Sequence, residues 1–278
     1  MATKPVVAGA DGSPESVRAV EWAAREAKLR GTSLRIIAVA SMPPRMSPNP
    51  ASQDTVANRI EDATNDALTA GASQAAAAAP GVAVETDLVN HASPATALVE
   101  AGQDALMLVL GSRGAGGFTA MILGSVSRYA ATNASCPVVV VREETMTAHR
   151  EIVVGVQDPA DAAASLGFAF EEAALRKARL VAVHARSRSL FGGPDEPADE
   201  EQRALDALLA SWLEKYPGVE VSAEVMQAHP GRVLAGASAR ADLVVLGRHG
   251  SGIGRGIGSV THSVLSHAHG PVVSVPGQ

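Results

Sequence analysis

One pattern, written twice at a fixed interval, restricts what this chain can fold into. It runs from an apolar stretch, Leu106-Met-Leu-Val-Leu110, through Gly111-Ser112-Arg113-Gly114 and a small apolar insert to Gly124-Ser125-Val126-Ser127, and ends in Pro137-Val-Val-Val-Val141. The second copy has Leu243-Val-Val-Leu246, Gly247-Arg248-His249-Gly250, Gly258-Ser259-Val260-Thr261 and Pro271-Val-Val-Ser-Val275, with Gly247 and Gly250 each 136 positions after Gly111 and Gly114. A continuous apolar run closed by glycine reads as a parallel strand buried on both faces. The glycine-rich loop then delivers the chain to a helix N-terminus, where free N–H groups and the helix dipole favour an anion. A repeat of this length, in a chain of 278 residues with 46% hydrophobic content, predicts two domains of ordinary size, at 1–145 and 150–278.

Around each copy, strands and helices alternate. In the first half the predicted order is a strand at Pro5–Ala10, a helix from Ser13-Pro14 to Gly31, a strand at Leu34–Ala40, a proline-rich loop at Ser41–Pro50 read as mobile, and an alanine-rich helix from about Asp54 to Ala79. A strand at Val82–Val89 and a helix from Ser93-Pro94 precede the central strand. The second half repeats the order: strands at Ile152–Val156, Leu180–Ala185 and Val219–Val225, and helices over Pro159–Lys177, up to Tyr216 and after Pro230, with a Gly/Pro-rich loop at Arg186–Pro197. Such alternation specifies an α/β fold, here two tandem open parallel five-stranded sheets with helices on both faces, Rossmann-like in their winding. Ligands in such sheets sit beyond the carboxyl ends of the strands where the winding reverses, which brings together Asp11, the residues after Val39, and Gly111.

Composition excludes several classes. No segment reaches the roughly 18 apolar residues of a membrane span, and the first residues lack a signal-peptide core, so a cytoplasmic location is expected. A net charge of -6 with 3% aromatic residues leaves no basic stripe with stacking platforms, and no nucleic acid is expected as partner. The one cysteine, Cys136, rules out an internal disulfide and any Cys-x-x-Cys metal site and reads as a buried small residue. No P-loop sequence and no Gly-x-Gly-x-x-Gly fingerprint is present. The histidines 249, 262, 267 and 269 do not form a metal set: His262 and His267, five apart, point about 140° away from each other on a helix. No general base for rapid hydrolysis and no catalytic residue is identified.

The spacing Gly111-x-x-Gly114, nine residues, Gly124-Ser125, with Asp11 on the neighbouring strand end, closely resembles the nucleotide-binding branch of the universal stress protein family. Both halves resemble one family domain. The resemblance implies an adenine nucleotide, ATP with or without Mg2+, whose phosphates lie against Gly111, Gly114 and Gly124 with the Ser125 hydroxyl, while Gly9 and Asp11 lie near the adenosine and the Val39 backbone meets the adenine edge. Ser112, Arg113, Val126 and Ser127 complete the candidate set, Arg113 either pairing with a phosphate or standing solvated. The residue chemistry is compatible: glycines admit close backbone approach and positive φ, and successive N–H groups form an anion nest.

The second half departs in two places. Only seven residues separate Gly250 from Gly258, and Gln157 stands where the repeat places Asp11, removing a carboxylate. Its candidate set is Gly155, Val183, Gly247, Arg248, Gly250, Gly258, Ser259 and Val260, with the glycines from Gly250 to Gly258 able to retain a nest. Asp158 is expected as a helix cap before Pro159. The resemblance further implies pairing through the terminal strands, Val138–Val141 and Val272–Val275, as a pseudo-dimer within one chain or a homodimer, and an unknown protein partner. The leading reading is a stress-response regulator acting through nucleotide occupancy. A nucleotide-free interaction module and a slow ATPase or phosphotransfer enzyme remain as alternatives.

Overall fold

The computed structural model describes residues 3–41, 50–114, 123–142, 148–158, 161–187, 198–248 and 258–277. Most of the proline-rich loop after Ser41, most of the loop between Arg186 and Pro197, His249, Pro159 and the glycines 250, 252, 254 and 256 lie outside them. The chain divides into two compact units, Met1–Arg142 and Glu143–Gln278.

In the first unit β1 (Val6–Gly9), β2 (Leu34–Ala40), β3 (Val84–Asn90), β4 (Met107–Gly111) and β5 (Val138–Val141) lie in the order β3-β2-β1-β4-β5. All neighbours run parallel. The helices are α1 (Pro14–Arg30), α2 (Pro50–Ala78), α3 (Pro94–Ala101) and α4 (Ser125–Asn133). Winding proceeds from β1 outward to β3, then reverses to β4, so the switch point lies between β1 and β4. α1 packs against α2 and α3 against α4, one pair for each face of the sheet. The core is the strand layer itself, since every residue of β1, β4 and β5 is buried. Burying one Val or Leu side chain there contributes about 1.5–3 kcal/mol, which is why these strands read as unbroken apolar runs rather than alternating ones.

Local chemistry sets the helix ends. Ser13 caps α1 through its side chain, which accepts from the Ser16 N–H, Pro14 follows at the first turn, and Gly31 closes the helix at φ 64°. α2 starts at Pro50, before the expected Asp54, as a residue without an N–H can at a first helical position.

The second unit repeats the plan with β6 (Glu151–Gly155), α5 (Ala163–Arg176), β7 (Arg179–Ala185), α6 (Ala198–Leu213), β8 (Val221–Met226), α7 (Pro230–Ala237), β9 (Leu243–Arg248), α8 (Ser259–His267) and β10 (Val272–Pro276). Its strands lie in the order β10-β9-β6-β7-β8, again all parallel. α5 begins later than the expected Pro159: the cap position of the α-helix belongs to Ala162, with no side-chain cap bond, and the Asp158 carbonyl accepts from the Asp161 N–H at 3.2 Å in the turn before it. A distinctive core feature here is an aromatic cluster. Fully buried Phe170 on α5 stacks on Trp212 at 5.8 Å and on Tyr216 at 5.6 Å, tying α6 to α5. The missing Cβ of Gly167 leaves room for the Trp212 ring, which would stand 2.9 Å away. The first unit has one tryptophan of its own, Trp22, 6% exposed on α1.

Candidate functional site

At the carboxyl edge of the first sheet a cavity of about 480 Å³ opens at the switch point. Gly9, Ala10 and Asp11 line it from the end of β1, Ile37 and Val39 from β2, and Leu110 and Gly111 from β4. Arg113, Gly114 and the run Gly124 to Ser127 close one side. Pro94 and Leu98 of α3 and a stripe on α2 close the other. Of the first-half residues singled out from sequence, Ser112 alone does not line the cavity. It is buried, and its N–H donates to the Val141 carbonyl at 2.9 Å.

The glycines divide by the reason each is a glycine. A Cβ on Gly111 would stand 2.7 Å from the Glu15 carbonyl carbon, a backbone atom, so close packing alone demands that glycine, whereas one on Gly9 would stand 2.7 Å from Leu110 Cδ2, the end of a side chain that can turn aside. A Cβ on Gly114 would lie 2.5 Å from Asp11 Oδ2, inside the cavity. Gly124 is different: its φ of -66° suits any residue, and the nearest atom to its Cβ, the Ser112 carbonyl oxygen, is 3.2 Å away. The expected positive φ is therefore not what these four supply. In this region it belongs to Gly12, at 78°.

Polar groups are arranged around that backbone. Asp11 Oδ1 accepts from the Ser13 N–H at 3.0 Å and from the Ser13 hydroxyl at 2.6 Å, which fixes the carboxylate at the cavity. Ser127 donates its hydroxyl to the Gly111 carbonyl at 2.6 Å, pinning α4 to the end of β4. Ser125 is exposed at the first position of α4. Arg113 donates to Glu15 Oε1 at 3.0 Å, and Arg18 lies 3.6 Å from the same oxygen while its Nε donates to the Arg142 carbonyl at 2.8 Å. Arg113 thus stands at the cavity on a carboxylate tether.

Besides α2, which follows the loop after β2, three helices begin at this edge, and their first turns differ. α1 and α3 are capped by their own hydroxyls, Ser13 and Ser93. α4 begins after Gly124, which brings no side chain to its first N–H groups. A helix start of this kind leaves donors for an external acceptor.

The second unit has a cavity of about 420 Å³ in the corresponding place, lined by Gly155, Val183, Gly247, Gly258, Ser259 and Val260 among the expected residues. Arg248 does not line it, and Gly250 lies outside the described residues. Strand register pairs Gly9 with Ile37 and Gly155 with Val183, so Val183 matches Ile37, and Ala185 matches Val39. Ala185 also lines its cavity, a residue missed in the sequence although the offset of 146 that carries Gly9 to Gly155 also carries Val39 to Ala185. Gln157 takes the place of Asp11, and two carboxyl residues, Asp158 and Asp161, join the lining. Packing also differs: a Cβ on Gly247 would meet Ser165 Oγ only at 3.4 Å. Among the described residues no group of three His, Cys, Asp or Glu side chains is placed to hold a metal.

The α2 stripe is the other feature missed from sequence. Ile60, Ala63, Thr64 and Ala67 line the first cavity with helical spacing i, i+3, i+4, i+7, a pattern that in an alanine-rich helix looks like an ordinary core face.

Comparison with known proteins agrees with this construction. The sequence profile of the universal stress protein family matches residues 2–142 and again 149–276. Universal stress protein Rv2005c of Mycobacterium tuberculosis is 34% identical over 291 residues, which cover 96% of this chain and 95% of that protein. A universal stress protein crystal structure from Archaeoglobus fulgidus superposes with a TM-score of 0.74 at 17% identity, covering 99% of this chain and 97% of its own. A universal stress protein crystallised in complex with cAMP is 30% identical, covering 51% of this chain and 98% of its own, with a TM-score of 0.39. With the profile matched twice in succession, the chain belongs to the universal stress protein family and carries the family's domain in tandem.

Proposed function

We propose that the first unit binds an adenine nucleotide, ATP being the form its size and donors suit, and that the protein regulates a stress response through occupancy of that site. The observation that carries the reading is the difference between helix starts: α1 and α3 cap themselves, while α4 presents its first turn to the cavity with no side chain on it. Phosphates placed there would accept from the first-turn N–H groups of α4, at Ser125 to Ser127, beside Gly114 and Arg113, the Gly124 N–H being given to the Ser112 carbonyl at 2.7 Å. β4 and β2 flank β1 on opposite sides, so the glycine side and the Val39 side of the cavity are two strand spacings apart, roughly 10 Å. That separation suits a nucleotide lying across β1, with its base beyond β2 and its phosphates beyond β4. Mg2+ would travel on the phosphates, since this cation keeps much of its water and needs few protein ligands.

Supporting the regulatory part is the way Arg113, Glu15 and Arg18 connect the cavity to the Arg142 carbonyl just past β5. A phosphate that draws Arg113 away would change the charge that holds Arg18. The test is mass analysis of small molecules released from denatured pure protein, followed by calorimetry with ATP on the stripped chain. An adenine nucleotide in the released fraction and saturable binding are expected. No released nucleotide together with a Kd weaker than about 1 mM would overturn the reading in favour of a nucleotide-free interaction module.

A further inference from the structure

We propose that α2 is the wall that selects the base in the first cavity, and that Thr64 is its selector, favouring a purine with a 6-amino group over one with a 6-oxo group. The inference rests on the nucleotide reading above and adds the residue that decides which nucleotide enters.

The wall is placed by two close approaches. A Cβ on Gly12 would lie 3.8 Å from the Ala67 Cβ, and one on Gly71 would lie 3.5 Å from Ile36 Cγ2 and 3.9 Å from the Ala10 Cβ. α2 therefore crosses just beyond the end of β1, on the side of β2 and away from the phosphate end at Gly124. Of the four residues it turns to the cavity, Ile60, Ala63 and Ala67 are apolar and Thr64 is the polar exception. A planar base laid on such a stripe buries its face on the apolar side chains and meets one hydrogen-bonding atom.

That atom has a defined sense. The Thr64 hydroxyl donates its proton back along the helix to the Ile60 carbonyl at 2.6 Å. With the proton committed, the oxygen has only lone pairs left to offer a ligand. An amino group donates into it, whereas a carbonyl oxygen at the same place brings two acceptors together. Leaving a desolvated acceptor without a donor costs more than the lost bond alone.

The second unit shows what the cavity is like without this wall. Pro217-Gly218 repeats Pro80-Gly81 at an offset of 137, and the same offset carries Ala63 and Thr64 onto Glu200 and Glu201. Glu201 is held by Arg186 Nε at 2.8 Å, and no residue of α6 lines the second cavity among those described. Carboxylates in place of Ala63 and Thr64 remove both the apolar face and the neutral acceptor.

The experiment uses the full chain and three probes: ATP, ITP, which differs at the 6-position and its neighbour N1, and tripolyphosphate, which has no base. Wild type is expected to bind ATP roughly three- to tenfold more tightly than ITP. Thr64→Val, matched in volume, is expected to bring the two together by weakening ATP, Thr64→Ser to keep the preference, and tripolyphosphate to bind all three proteins alike. Wild type binding ITP as well as ATP, or Thr64→Val keeping the full ATP preference, would overturn the selector role and leave the nucleotide site standing. Failure of all three probes to bind wild type would overturn the nucleotide reading and this inference with it.

Discussion

Replacing Gly124 by aspartate should make the protein more stable and unable to hold ATP, a pair of opposite signs that few other mechanisms produce. Gly124 sits at the N-cap of α4 with φ -66° and ψ 151°, a conformation open to any residue. The added Cβ would meet the Ser112 carbonyl oxygen at 3.2 Å, so the gain in stability requires that carbonyl to yield by a few tenths of an ångström. The new carboxylate can accept from the first-turn N–H groups. Asp in place of Gly at a cap contributes a few tenths of a kcal/mol, and a negative charge near a helix start about 0.3–1 kcal/mol. At roughly 2–4 °C per kcal/mol the midpoint of melting should rise by a few degrees in ligand-free protein. A phosphate arriving at the same donors finds them occupied and faces a like charge. Losing one charge-assisted bond, at about 1.5–3 kcal/mol, weakens ATP roughly ten- to a hundredfold, and losing two weakens it roughly a hundredfold or more. Scanning calorimetry of stripped protein and isothermal titration with ATP read the two effects separately. Unchanged ATP affinity in the folded variant would remove α4 as the phosphate site, and a lowered melting point would mean that the glycine is required by the backbone.

Gly111→Ala should cost about 1–3 kcal/mol in urea titrations, because its Cβ would press on the Glu15 backbone at 2.7 Å, whereas Gly247→Ala, facing only Ser165 Oγ at 3.4 Å, should stay within about 0.5 kcal/mol. Asp11→Ala should weaken ATP about ten- to a hundredfold while leaving tripolyphosphate unchanged in parallel titrations; an equal loss for both would place Asp11 at the phosphates or a metal. Titration of the full chain should show one tight class per chain, removed by Gly124→Asp and retained in Gly258→Asp, since the second cavity has Gln157, Asp158 and Asp161 where the first has Asp11. Two equal classes would contradict that asymmetry.

The strands were legible because burial on both faces leaves little choice of residue: Leu106–Leu110 was expected and Met107–Gly111 found, and Leu34–Ala40 agrees at both ends. Helix starts with a hydroxyl and a proline were equally legible, as at Ser13-Pro14 and Ser93-Pro94. The start of α5 was less legible: Asp158-Pro159 suggested it, whereas the α-helix begins at Ala163, after a turn in which the Asp158 carbonyl accepts from the Asp161 N–H. Glycines misled in another way. Gly111 lines the cavity as expected, yet the Glu15 backbone already requires it to be glycine. The α2 wall was hidden because Ile60, Ala63, Thr64 and Ala67 are the residues a plain packing face would use, and only the crossing of α2 beyond β1 turns them toward a cavity.

The chain has two tryptophans, Trp22 in the first unit and Trp212 in the second. Trp22 is buried on α1, whereas Trp212 stacks on Phe170 beneath Lys215, whose ammonium stands 4.7 Å from the ring centroid. Tandem units need not melt as one, and a single transition temperature is then not a defined quantity. Intrinsic fluorescence resolves the problem without added labels, because each indole is a resident optical reporter of its own unit. Single Trp→Phe replacements make each unit spectroscopically silent in turn. Ligand-induced shifts in either transition can then be attributed to a unit from emission alone, which a global circular dichroism melt of two similar α/β halves cannot do.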